Sequence, residues 1–105
     1  MIIDIDLTGD YAVELVEPEE FRRFHVTVRG GDTAALEEAL AVKGIGRLLP
    51  SGDAMIDTSA VRRMATGRVS EDWEAKFDAM LLYANAKGWM DGPGGSMQAH
   101  VERVG

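Results

Sequence analysis

Two histidines, His25 and His100, are the side chains of this sequence best suited to move protons or bind a metal near neutral pH. Each is followed by valine in a stretch, HVTV or HVERV, whose pattern predicts a strand with the histidine on its more polar face. If these strands are neighbours, the two imidazoles and a carboxylate of Glu102 or Asp4 would form a two-histidine, one-carboxylate metal site or an acid–base pair. The spacing along the chain does not show that the strands are adjacent, and solvated surface histidines are the alternative.

Other common catalytic patterns are missing from the sequence. The chain has no cysteine, which excludes disulfides, thiolate nucleophiles and thiolate metal sites. It has no GxSxG, SxxK or HExxH pattern, and the glycine pair of RGGD is followed by Asp32, an anion where a phosphate-binding loop holds its ligand. We therefore assign no cofactor and no metal from the sequence. Whether the protein is an enzyme stays open, with His25, His100 and Glu102 as the candidate catalytic residues.

The negative charge of the chain is concentrated near its N-terminus. The chain has 18 acids and 11 bases, and residues 1–20 hold seven of the acids and none of the bases, so this segment carries the whole net charge of −7. An acidic segment repels phosphate, which predicts that the protein binds neither nucleic acid nor an anionic membrane. The two basic clusters are Arg22-Arg23 and the group Arg62, Arg63 and Arg68. We expect them to pair with this segment in the same chain or in a symmetry-related copy, and capture of a phosphate or carboxylate is the alternative.

Hydrophobic periodicity and turn residues predict the elements that would position these side chains. Candidate strands, two pairs of which read as hairpins, are Ile2–Leu7, Tyr11–Val16, Phe24–Arg29, Ile45–Leu49, Ala54–Ile56 and Ser96–Val104. Two short helices are predicted at Ala34–Lys43 and Ser59–Ala65, with Asp32 or Thr33 as the cap of the first. A long helix follows Ser70 as its N-cap, and its core stripe is Trp73, Phe77, Met80, Leu81 and Ala84. Trp89, just beyond Gly88, is expected to fold back onto the end of this helix, and Gly92–Gly95 to form a loop.

These elements predict an α+β fold in a single domain spanning residues 1–105. We expect an antiparallel sheet of about five strands, with the long helix and one or two shorter helices packed on one face. No apolar run approaches the ~18 residues of a membrane span, and the first residues are acidic where a signal peptide is basic. The cysteine-free composition predicts a cytoplasmic protein, and the abundance of Ala, Gly and Arg over Lys is typical of bacterial sequences.

Two functions of different classes fit the sequence. The first is a small acidic, non-catalytic accessory or binding protein that self-associates as a homodimer. Such a protein is also compatible with a second, different protein partner. The strands Ile2–Leu7 and Ser96–Val104, at the two chain ends, are expected at sheet edges that invite pairing, and Leu82 and Tyr83 lie beside the core stripe of the long helix. The alternative is a small enzyme or ligand-binding protein that uses His25 and His100 with a nearby carboxylate.

Overall fold

Strands from the whole length of the chain form one sheet, which holds seven strands in the part that the computed structural model describes, residues 1–91 and 95–104. The strands are β1 (Ile2–Asp6), β2 (Ala12–Val16), β3 (His25–Arg29), β4 (Gly46–Leu48), β5 (Ala54–Asp57), β6 (Met90–Asp91) and β7 (Ser96–Val104). Their order across the sheet is β2-β1-β3-β7-β5-β4, and the short β6 pairs with the start of β7. The loop predicted at Gly92–Gly95 lies, apart from Gly95, outside the described residues.

The sheet is mixed, so the prediction of a purely antiparallel sheet is wrong. The predicted hairpins β1–β2 and β4–β5 are antiparallel, but β3 runs parallel to both of its neighbours, β1 and β7. After the β1–β2 hairpin the chain crosses to the far side of β1, so β3 runs in the same direction as β1. The strand number also exceeds the predicted five, in part because β6 has only two residues, too few to show alternation. The α+β class itself is confirmed.

The expectation that the strands at the two chain ends form the sheet edges is wrong. β1 pairs with β2 and β3, β7 pairs with β3 and β5, and the strand order ends at β2 and β4. The alternating residues Ile3 and Ile5 of β1 are fully buried, as expected for a central strand whose apolar face is covered. Self-association through exposed edges of β1 and β7 therefore loses its structural basis.

Three helices occupy the predicted positions within the described residues: α1 (Thr33–Val42), α2 (Thr58–Ala65) and α3 (Trp73–Ala86). The core stripe predicted on α3 is confirmed for Trp73, Phe77, Leu81 and Ala84, which are buried, whereas Met80 is half-buried. None of the helices in these residues combines the length and the hydropathy that crossing a bilayer requires.

Helix capping agrees with the sequence at α1 and differs from it at α3. The side chain of Asp32 accepts a hydrogen bond from the N–H of Ala35 at 2.8 Å, which confirms Asp32 as the N-cap of α1. Ser70 is not the N-cap of α3, because a turn precedes this helix and Asp72 takes the cap position. The hydroxyl of Ser70 instead lies within hydrogen-bonding distance of the carboxylates of Glu19 and Asp72, which places the start of α3 beside the acidic segment.

The core lies between one face of the sheet and the three helices. It contains strand residues Ile3, Ile5, Leu15, Val26, Val28, Ala54, Ile56, Met97 and Ala99, and helix residues Leu36, Ala39, Leu40, Ala60, Val61, Ala65, Trp73, Phe77, Leu81 and Ala84. Side chains of the opposite sheet face are more polar. There the hydroxyl of Thr27 donates to Asp4 at 2.7 Å, and Asp4 lies 3.6 Å from Nε of Arg29. Alternation along the strands therefore separates the core from the face that carries both histidines.

The expected pairing of arginines with the acidic segment is confirmed for Arg22, whereas Arg62 pairs with other carboxylates of its own chain. Arg22 forms an ion pair with Glu20, inside the acidic segment, at 3.0 Å. Arg62, on α2, contacts Glu74 at 3.1 Å and Asp78 at 2.8 Å. These two carboxylates lie one helical turn apart on the same side of α3, so one guanidinium reaches both.

Candidate functional site

The structure brings the strands of the two histidines together. His25 of β3 and His100 of β7 are register partners on adjacent parallel strands, and Thr27 is the partner of Glu102. The condition that the sequence left open, adjacency of the two strands, is therefore met. Nε2 of His25 lies 3.7 Å from Oε2 of Glu102, whereas Nδ1 of His100 lies 3.6 Å from Oδ1 of Asp53. Each imidazole thus faces its own carboxylate.

The two imidazole–carboxylate separations are longer than direct proton transfer requires. General acid–base catalysis needs heavy atoms within roughly 2.6–3.2 Å, or one bridging water, and both separations exceed this range. The His100 side chain is 72% exposed and the Glu102 side chain 57%, so solvent screens both charges. Within residues 1–91 and 95–104, no three His, Asp or Glu side chains are grouped so that they could hold a metal ion. A catalytic role of His25, His100 and Glu102 stays a prediction.

A cleft of about 580 Å³ opens where the sheet is interrupted beside β7. β7 pairs with β5 along one of its edges. Along its other edge, β6 pairs with Ser96 and Met97, and β3 pairs with the residues from His100 onward. Gln98 and Ala99 lie between these two pairings, and Gln98 borders the cleft with His100. The apolar part of the lining consists of Phe21, Phe24, Met80, Tyr83, Ala84, Trp89 and Met97. The candidate residue His100 therefore belongs to the cleft, whereas His25 and Glu102 lie outside its lining.

Trp89 forms one wall of the cleft and is held between α3 and β7. The backbone N–H of Trp89 donates to the carbonyl oxygen of Ala84 at 3.0 Å, and the backbone carbonyl oxygen of Trp89 accepts from the backbone N–H of Gln98 at 2.8 Å. The indole packs edge-on against Tyr83, with 6.0 Å between ring centroids. This geometry confirms that Trp89 folds back onto the end of the long helix. The backbone contacts place the ring, although Trp89 is 45% exposed.

The opposite wall is the segment before β3, and buried contacts of α3 fix its course. The indole N–H of Trp73 donates to the carbonyl oxygen of Pro18 at 2.6 Å, and the ring of Phe21 lies 6.2 Å from that of Trp73. The backbone nitrogen of Met1 donates to the carbonyl oxygens of Glu20 at 2.7 Å and Arg23 at 2.9 Å. The wall that carries Phe21 is therefore anchored at several points and is preformed.

Polar side chains line part of the cleft, and they differ in how many hydrogen bonds and ion pairs they form with other residues of the protein. The carboxylate of Asp53 accepts a hydrogen bond from Nε2 of Gln98 at 2.8 Å and faces His100. Arg22 donates to Glu20 through its guanidinium and its backbone N–H, and these bonds lower the pKa of Glu20 to about 2. Arg23 also borders the cleft and forms no ion pair with the described carboxylates.

The cleft was not predicted from the sequence. Its lining comes from the segment before β3, the turn before β5, α3, the residue before β6, and β7. The partial signals in the sequence were Tyr83, expected to remain exposed beside the core stripe, and Trp89, expected at the end of α3. No protein-family model, curated protein or solved structure matches this chain. Its function is therefore inferred from the residues of the cleft and of the polar sheet face.

Proposed function

We propose that this chain is a non-catalytic binding protein whose cleft takes up a small, ring-bearing molecule. The observation that carries the proposal is the lining of the cleft by four of the chain's seven aromatic residues (three Phe, two Tyr and two Trp in all) and by two methionines. A volume of about 580 Å³ lies within the range of small-molecule sites. Tyr83 and Trp89 are 59% and 45% exposed, so a bound ring would remove apolar surface from water.

The walls suit a flat molecule with a π-system. Aromatic rings prefer offset-stacked or edge-to-face neighbours, and each such pair adds about 0.5–1.5 kcal/mol beyond the area that it buries. Tyr83 and Trp89 already stand edge-on to each other, which leaves ring faces and edges for a ligand. Met80 and Met97 add polarizable sulfur atoms, which make favourable contacts with aromatic rings.

The two tryptophans allow a test of ligand binding in which one of them reports on the cleft and the other serves as the control. Trp89 lines the cleft, whereas Trp73 is buried and its indole N–H is bonded to Pro18. We expect titration with cinnamamide, a neutral planar probe, to move the indole N–H signal of Trp89 in heteronuclear NMR spectra much more than that of Trp73. Equal shifts of both signals, or no shift at millimolar probe, would contradict the proposed function.

Substitution of one wall residue localises this binding. Trp89→Ala should weaken the affinity for cinnamamide about fivefold or more, because a stacking contact contributes about 1 kcal/mol. The matched control is Val42→Ala, which also truncates an exposed apolar side chain, on α1 and outside the lining of the cleft. The side-chain amide signal of Gln98 serves as the reporter in both variants. Equal affinities of the two variants would place the probe elsewhere.

Self-association as a homodimer is the second proposed function, and the exposed face of α3 supports it. Leu82, which is 72% exposed, precedes Tyr83 on α3, and the ring of Tyr83 packs against the exposed ring of Trp89, so this part of the monomer exposes three large apolar side chains. We expect light scattering at micromolar concentrations to give twice the chain mass of 11.4 kDa, and Leu82→Glu to return the mass to that of one chain. A mass near 11.4 kDa at all concentrations would reject the homodimer.

Enzymatic use of His25 and His100 with a carboxylate is the weaker alternative. The register of β3 and β7 supports it, but each imidazole faces a separate carboxylate at more than hydrogen-bond distance. We place the protein in the cytoplasm, where a cysteine-free acidic chain suits the reducing conditions.

A further inference from the structure

We infer that the molecule bound in the cleft is an aromatic carboxylate and that its carboxylate group binds the guanidinium of Arg23. This inference rests on the proposed binding function and names the chemical class of the ligand. It starts from the formal charges of the lining, which are those of Arg22, Arg23 and Asp53 when His100 is counted as neutral. Glu20 pairs with Arg22, so these four groups sum to zero, within a chain of net charge −7. The cleft is therefore less negative than the rest of the protein.

The contacts of these three side chains identify Arg23 as the group that is available to a ligand. Arg22 is engaged by Glu20, with Nε and Nη2 at 3.1 and 3.0 Å from the two carboxylate oxygens. Asp53 accepts from Gln98 at 2.8 Å and faces His100. Arg23 has no such carboxylate partner in residues 1–91 and 95–104, and its side chain is exposed at the cleft. A guanidinium presents paired N–H donors that match a carboxylate.

The positions of the charged groups give the ligand an orientation. Arg23 precedes β3 and Asp53 precedes β5, and these strands lie on opposite sides of β7. Two strand spacings separate the backbones of these two residues by about 10 Å, so the cation and the anion of the lining are carried on opposite sides of β7. The N-terminal nitrogen of Met1 donates a hydrogen bond to the carbonyl oxygen of Arg23, which limits movement of the backbone that carries the guanidinium. The aromatic part of the ligand then faces the rings and methionines.

Cinnamate and cinnamamide form a matched pair of probes that differ in charge but hardly in shape. We expect cinnamate to bind about tenfold more tightly than cinnamamide, the difference that a charge-assisted hydrogen bond provides. Arg23→Gln should abolish the preference for cinnamate, so that the variant binds cinnamate and cinnamamide with similar affinity. The control is Arg68→Gln, which removes the same charge from an exposed arginine outside the cleft and should preserve the preference for cinnamate.

The outcomes separate this inference from the proposed function. If cinnamamide and cinnamate move the indole signal of Trp89 with equal affinity, the cleft binds aromatic molecules but the inference of an anionic ligand is overturned. If Arg68→Gln reduces the preference for cinnamate as much as Arg23→Gln does, general charge attraction explains the preference and the assignment to Arg23 is also overturned. If neither probe moves this signal, the proposed binding function itself fails. Thermal unfolding of each variant shows whether the fold is retained.

Discussion

Replacement of Phe77 by alanine is expected to lower the free energy of unfolding by about 3–5 kcal/mol, the range for large-to-small changes at buried aromatic sites. Phe77 is fully buried, and its ring stacks on Trp73 with 4.7 Å between centroids. The guanidinium of Arg62 lies over the same ring at 5.1 Å from its centroid. The substitution removes the transfer free energy of the ring and leaves a cavity at the contact of α3 with the core. Urea unfolding followed by circular dichroism measures the change.

Leu82→Ala provides the control on the same helix. Leu82 is 72% exposed in the monomer, so its truncation should change the free energy of unfolding of the monomeric chain by no more than about 0.5 kcal/mol. The comparison tests the orientation of α3, because only the inward face should be sensitive to truncation. A loss at Phe77 as small as that at Leu82 would show that α3 does not pack through this stripe.

Trp73→Ala should produce a loss of similar size, about 3–5 kcal/mol, for a second reason in addition to packing. Trp73 is 2% exposed and stacks on Phe77, and its indole N–H donates to the carbonyl oxygen of Pro18 at 2.6 Å. Trp73→Phe keeps most of the ring but leaves that carbonyl oxygen without its donor, at a cost of about 1–3 kcal/mol. The two variants together separate the packing of the ring from its hydrogen bond.

Trp89→Phe is the matched control for the hydrogen bond. Trp89 is half exposed, and its backbone groups, not its indole, make the contacts with Ala84 and Gln98. Its replacement by phenylalanine should therefore cost much less than Trp73→Phe in urea unfolding. Equal losses in the two phenylalanine variants would contradict a stabilising bond between Trp73 and Pro18. That result would also remove one anchor of the cleft wall that carries Phe21.

Local patterns in the sequence predicted the elements well because each pattern depends on neighbours along the chain. Alternation identified the strands, and the spacing of Trp73, Phe77, Leu81 and Ala84 identified the buried face of α3. Strand order was not predicted and the direction of β3 was predicted wrongly, because alternation is the same in parallel and antiparallel strands. The sheet edges were wrong for the same reason: an alternating strand such as β1 can lie at an edge or in the centre.

The candidate site was predicted only in part because its parts are distant in sequence. Alternation assigned His25 and His100 to polar strand faces, but their register partnership depends on the pairing of β3 with β7. Asp53, whose carboxylate faces His100, was predicted only as part of a turn. The cleft depends on β6, a strand of two residues that no periodic pattern can reveal. Met80 shows the same difficulty, since it falls on the helical stripe and yet lines the cleft.

The most direct test of the cleft as a binding site is the measurement of intermolecular nuclear Overhauser effects between cinnamate and the protein. We expect effects from the phenyl protons of the probe to the rings of Phe21, Phe24 and Trp89 and to the methyl group of Met97, all of which line the cleft. Effects confined to exposed residues outside the cleft, such as Val42 and Leu82, or none at saturating probe, would contradict binding in the cleft.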